Sequence, residues 1–295
     1  MSRALRIQGA AFSVVALTLA AATMVFRRLD ARVELLVVTA MIILLGVPHG
    51  ALDTIFARQL YHVRTFRSWL GFGVLYGAPA AAVVALWLVA PTMFLLGFLL
   101  ISAGHFSGDP EKDTRGLSRL LYGGAVIVLP TLLHAGEVDR LFGLLAGPKA
   151  AGHLTPWLAS LAWPWLAALI ASALLEARRS RQTGLELLAV AALATAAPPL
   201  VAFTVFFCGM HSARHILRTV AYASPTAPWL LLIVSLLPMA LVLAISCIGW
   251  FFLADTPLDT RLIQFVFVGL AALTVPHMAL IERVRLSGWQ RPALP

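Results

Sequence analysis

The sequence predicts an all-α fold, a polytopic integral membrane helix bundle with about 8–10 transmembrane helices. Three observations predict it. The 295 residues are 60% hydrophobic and 12% charged, with a mean hydropathy of +0.90, far from the composition of a soluble globular domain. Apolar runs recur along the whole chain, several of them close to the ~20 residues that cross a bilayer core. Polar residues hardly ever alternate with apolar ones at a period of two, which disfavours a membrane barrel.

The first run, residues 9–26, follows Arg3 and Arg6 and has the outline of a secretory signal. It is longer than a signal core and further spans follow, so it reads as an uncleaved first helix. Next come runs at 33–47, 69–90, from 92 through 101, 120–133 and 156–175. The shorter ones fit a tilted, protein-buried or partly re-entrant segment. Runs at 185–207, 229–253 and 262–281 complete the set. The longest polar stretches, 57–67, 107–119 and 135–155, are too short for a soluble domain, so one membrane-embedded domain covers 1–295. Cys208 and Cys247 both sit in apolar segments and imply neither a disulfide framework nor a thiolate cluster.

Pro198-Pro199 decides the topology. A second proline ring cannot continue a helix without losing backbone bonds, so the run beginning near Leu185 splits there into two passes. With the split, most of the 22 lysines and arginines fall on the side shared by both termini, among them Arg3, Arg58, Arg64, Arg67, Arg178, Arg214, Arg218 and Arg291, leaving Arg27 and Arg28 with the minority. The positive-inside rule makes that side cytosolic. The +9 net charge thus reads as orientation in a cell membrane and contact with anionic lipid; no basic domain offers itself to nucleic acid.

The same topology gathers five histidines near the cytosolic helix ends: His49, His105, His211, His215 and His277. Ionisable groups at membrane depth are costly, and they usually mark a functional site. His211 and His215, four apart, share one helical face and can meet one ion. His49 is followed four residues later by Asp53, and His105 by Asp109, each placing a carboxylate one turn away as an acceptor for the second ring nitrogen. Gly50 and Gly104 beside them permit close backbone or substrate approach, or mark a helix end or a close helix crossing. Four imidazoles without a thiolate suit iron, copper, nickel or zinc. Structural zinc sites are closed, whereas iron(II) with four neutral histidines keeps positions for oxygen. His277 has three readings: a fifth ligand, an outer-shell donor, or a histidine packed against a carbonyl. His62, His134 and His153 read as ordinary loop histidines.

GVPHGALD around His49, SAGHFSGD around His105, MHSARH around His211 and His215, and VPHMAL around His277 together resemble the bacterial and archaeal Brp/Blh family of beta-carotene 15,15'-dioxygenases. The likeness covers most of the chain. It implies a membrane-embedded Fe(2+) enzyme that cleaves the central double bond of beta-carotene with O2 into two all-trans retinal molecules. The family's proposed iron ligands map onto His49, His105, His211 and His215. Its carotenoid substrate dissolves in lipid, so a site inside the bilayer admits it laterally. Phe106, Phe203, Phe206, Phe207, Trp250 and Phe251 are candidates for lining an apolar tunnel. The oligomeric state is not legible.

Three rivals have distinct signatures. A retinal-binding opsin needs a lysine within a helix, and Lys112 and Lys149 both lie in polar stretches. A di-iron desaturase or hydroxylase carries several clustered HxxxH and HxxHH motifs, against one HxxxH pair here. A transporter relaying protons or metal through the histidines would move its substrate unchanged.

Overall fold

The computed structural model describes residues 2–26, 30–223, 228–286 and 289. Arg27, Arg28 and Arg291, counted above among the basic flanks, lie outside the described residues. Every regular element among the described residues is helical, as expected where backbone donors and acceptors must be satisfied within each segment.

Helix α1 (Arg3–Val25) begins at Ser2, whose hydroxyl accepts from the Leu5 N–H. Asp30 caps α2 (Ala31–Met41) by accepting from the amides of Arg32 and Val33. The chain then widens into a π-helical turn (Ile42–Gly46) before α3 (Pro48–Ala51) and α4 (Asp53–Leu60). Pro48 has no N–H to offer, and the π turn, closed by Val47 N–H to the Ile42 carbonyl, absorbs the irregularity. Helix α5 (Phe66–Val89) opens with a capping box between Thr65 and Ser68, and none of its residues is buried. Phe72 and Tyr76 pack inward, and the exposed apolar side suits contact with lipid.

Pro91 starts α6 (Pro91–Phe106) at the first helical position, where its missing donor costs nothing. Helices α7 (Gly116–Val128) and α8 (Thr131–Ala146) meet at a 60° bend by Pro130. Gly123 sets how close α6 comes: a Cβ there would strike the Ala103 carbonyl oxygen, so the bare backbone fixes the end of α6 that carries His105. Helix α9 (Pro148–Ala177) is followed by α10 (Arg181–Ala196), then α11 (Pro199–Val205), a second π-helical stretch (Phe206–Ser212) and α12 (Ala213–Ala223). Helices α13 (Pro228–Phe252) and α14 (Leu258–Leu286) complete the described fold.

Among the described residues six helices are long and apolar enough to cross a membrane, seven if the α7–α8 pair is one span, and Pro91–Phe106 and Leu236–Phe252 are shorter apolar helices. The multi-pass membrane reading therefore stands.

The diproline breaks the chain as the sequence argued, with α10 ending at Ala196 and α11 starting at Pro199. Helix α10 runs parallel to α1. Gln182 Nε2 donates to the Arg6 carbonyl at one end (2.9 Å), and Thr23 Oγ1 reaches the Ala196 carbonyl at the other (3.4 Å). The chain then returns, because Gln8 Nε2 near the start of α1 donates to the Gly209 carbonyl (2.8 Å). Residues 181–223 thus go out and back, and the return leg brings His211 and His215 to the end of the bundle where α1 begins.

Candidate metal centre

Four separate segments supply five buried imidazoles: His49 from α3, His105 from the end of α6, His211 from the second π stretch with His215 from α12, and His277 from α14. Their rings form a closed circuit. Centroids lie 4.5 Å apart from His105 to His211, 5.2 Å from His211 to His49, 5.4 Å from His49 to His215, 5.0 Å from His215 to His277 and 5.2 Å from His277 to His105. One ligating atom from each of His49, His105 and His277 falls within 4.8 Å of the others.

The two π-helical turns pack on each other and build this arrangement. Phe207 from the second presses on Gly46 in the first, where a Cβ would occupy the ring's position. The Gly46 carbonyl accepts the Nδ1–H of His49. Ser212 Oγ, 3.1 Å from the same nitrogen and 3.4 Å from the same carbonyl, completes the contact. That bond leaves Nε2 as the His49 atom free to bind.

The carboxylates do not serve the histidines that precede them. Asp109 accepts Nδ1–H of His211 through both oxygens at 3.0 Å, and Asp53 accepts Nδ1–H of His277 at 2.7 and 2.9 Å. The expected pairing of Asp53 with His49 and of Asp109 with His105 is corrected. Each aspartate points across to the ring of another helix, because the backbone turns between histidine and aspartate: Leu52 separates α3 from α4, and α6 ends at Phe106. For Gly50 and Gly104 one of the expected readings falls away. A Cβ at either would meet open space, so neither marks a close helix crossing, while the open space agrees with a helix end or with room for a substrate.

Fixing Nδ1–H on His49, His211 and His277 leaves Nε2 as the atom of each ring with a lone pair to offer. The Nε2 atoms of His211, His215 and His277 are buried without a partner among the described residues. An unsatisfied buried polar atom costs about 1–3 kcal/mol, and three such atoms on rings of one circuit are the pattern expected of ligands. The donor set, imidazole with carboxylate behind it and no thiolate, fits iron or another late first-row divalent ion.

Supports that the histidine spacing does not reveal surround this core. Tyr76 O–H donates to Asp53 at 2.7 Å. Arg214 and Arg218, taken above as basic flank residues, instead hold the Asp109 carbonyl at 3.2 and 2.7 Å. Arg214 is 0% exposed and forms a bidentate pair with Glu186, both bonds 2.9 Å. Two arginines one turn apart around His215, on a helix between apolar runs, were the available signal.

An apolar cavity of about 90 Å³, lined by Phe98, Phe106, Phe203 and Phe267 among other side chains, lies next to the histidines, with the Phe106 ring 5.0 Å from that of His211. Aromatic rings connect the two: Phe207 stacks on His211 (5.7 Å, 16°), Phe203 on Phe207 (5.4 Å, 10°), and Phe267 meets Phe203 at 5.2 Å. Of the six aromatics singled out in sequence, Phe106 and Phe203 line the cavity and Phe207 bridges it to the centre. Phe206 packs behind, against Phe12 and Tyr122. Trp250 lies under the Arg261 guanidinium, and Phe251 is 74% exposed, so neither lines it. His153 and His62 are exposed as expected, whereas His134 sits within α8, half-buried, with Nε2 3.1 Å from the Ala196 carbonyl.

A family model described as beta-carotene 15,15'-dioxygenase matches residues 40–284, a span holding all five histidines. The chain belongs to the beta-carotene 15,15'-dioxygenase family. Membership makes it a carotenoid dioxygenase by class, and the buried histidine circuit is its candidate centre. It is 32% identical over 260 residues to a beta-carotene 15,15'-dioxygenase from the uncultured marine bacterium 66A03, covering 82% of this chain and 91% of that protein. It is 27% identical over 283 residues to the probable beta-carotene 15,15'-dioxygenase Blh of Halobacterium salinarum, covering 82% of this chain and 81% of that one. No solved structure matches this family member.

Proposed function

We propose that this chain, as a single membrane-embedded catalytic domain, is an iron(II)-dependent dioxygenase that cleaves the central 15,15' double bond of beta-carotene with O2 to give two all-trans retinal. The observation that carries the reading is the circuit of buried imidazoles, some with unpartnered Nε2 atoms, joined through phenylalanine rings to an aromatic-walled apolar cavity. His49, His105, His211 and His215 would hold the ion. Iron(II) supplies, when bound, the means to activate O2 toward the polyene.

The protein's own groups do the rest. Asp109 fixes the His211 tautomer and the Gly46 carbonyl fixes that of His49. Phe203 and Phe207, stacked nearly parallel, offer a flat apolar wall on which a conjugated chain can lie beside the histidines. The cavity's apolar lining excludes water from the reacting carbons. Entry from lipid suits the substrate's solubility. In this reading the protein sits in the cell membrane with the centre toward the cytosol.

Purified protein in detergent, given Fe(II), O2 and beta-carotene, is expected to yield retinal as the product. The individual variants His49→Ala, His105→Ala, His211→Ala and His215→Ala are expected to lose that activity. Unchanged turnover in two or more of them would refute the ligand assignment. Iron per polypeptide adds a second criterion: one ion agrees with the proposal, while two would favour a di-iron oxygenase, for which Asp53, His215 and His277 form a second overlapping donor group.

A further inference from the structure

His277 stands in the same relation to the centre as His211. Both rings are buried, both donate Nδ1–H to an aspartate, and both leave Nε2 unpartnered among the described residues. A histidine retained only for packing would find a carbonyl or hydroxyl for its second nitrogen, as buried polar atoms almost always do. Position is the stronger argument. His277 lies 5.0 Å from His215, 5.2 Å from His105 and 5.3 Å from His49 between centroids. Without it the circuit is open between His105 and His215.

We propose that His277 is a fifth ligand of the ion held by His49, His105, His211 and His215, and that Asp53, itself held by the Tyr76 hydroxyl, is the positioning residue that aims it. This rests on the metal-dependent reading above and deepens it. The carboxylate takes the Nδ1 proton and makes the ring a better donor at Nε2, while the tyrosine fixes the carboxylate. The chain Tyr76–Asp53–His277 joins α5, α4 and α14, three helices that contribute nothing else to the circuit.

The test uses the full chain in detergent, loaded with Co(II) alone, whose visible absorption reports donor number and symmetry. Wild type is expected to bind one Co(II). His277→Gln is expected to weaken binding more than the ~10–100-fold typical of losing an outer hydrogen-bond partner, and to change the absorption spectrum. Asp53→Asn, and Tyr76→Phe more mildly, are expected to weaken binding within that ~10–100-fold range, with a smaller spectral change. Thermal unfolding of the metal-free variants controls for folding. If His277→Gln does not fold, His277→Asn and the Asp53→Asn spectrum decide in its place. Wild-type affinity and spectrum in the folded His277 variant, or in Asp53→Asn if neither His277 variant folds, would overturn the fifth ligand while leaving the dioxygenase reading intact. Failure of wild type itself to bind the ion would overturn both.

Discussion

Asp109 is gripped at both ends: its carboxylate receives the Nδ1–H of His211 at 3.0 Å while its backbone carbonyl receives guanidinium bonds from Arg214 and Arg218. The clamp ties the loop after α6 to the return leg that carries two of the histidines. Asp109→Asn keeps an acceptor but loses the charge behind the ring. Iron(II) affinity is expected to fall about 10–100-fold, measured by competition with a chelator of known strength. An unchanged affinity would show that the clamp serves folding alone.

Arg214 and Glu186 form a fully buried ion pair, so removing one partner strands the other. Arg214→Met is expected to destabilise the protein by about 3–5 kcal/mol. Adding Glu186→Met is expected to recover much of the loss, since the stranded charge goes too. Thermal unfolding in detergent reads both. A double variant no more stable than the single would contradict the pairing.

Gly46 carries the Phe207 ring directly on its backbone. Gly46→Ala is expected to cost about 1–3 kcal/mol by overpacking, and Phe207→Leu in the same chain to relieve part of it, a coupling expected of touching residues. Additive losses would mean that the two π turns are not packed as described.

Phe203 lines the cavity without touching the histidines that would hold the ion. Phe203→Ala is expected to leave iron content at the wild-type level while lowering kcat/KM for beta-carotene about 10-fold or more. Loss of iron from this variant would place Phe203 in the support of the centre instead.

Chelation under anaerobic conditions is expected to lower Tm and abolish turnover, and Fe(II) to restore both. At an ion concentration 100 times Kd the expected stabilisation is about 2.7 kcal/mol. A Tm indifferent to chelation would argue that the imidazoles are satisfied without an ion.

Much of the centre was legible because burying imidazole in apolar sequence is expensive, which singled out His49, His105, His211, His215 and His277 before any geometry. The break at Pro198-Pro199 was legible for a similar local reason, since proline cannot donate. The carboxylate partners were not. Helical spacing assigned Asp53 to His49, but the chain turns at Leu52, and Asp53 bonds a ring 224 residues away. Nor was the packing of the π turns visible: Pro48 hints at an irregularity in the first, but the contact of Phe207 with Gly46 joins segments far apart in sequence. Arg214 misled for the opposite reason. Its charge counted toward topology, although Glu186 from another helix neutralises it inside the protein.

His277 lies on α14, beyond every other histidine of the circuit. During synthesis the earlier helices enter the membrane first, and the gap between His105 and His215 stays unfilled until α14 arrives. With His277 as a fifth ligand, a half-made chain would offer an ion an incomplete grip, and loading would wait for the end of assembly.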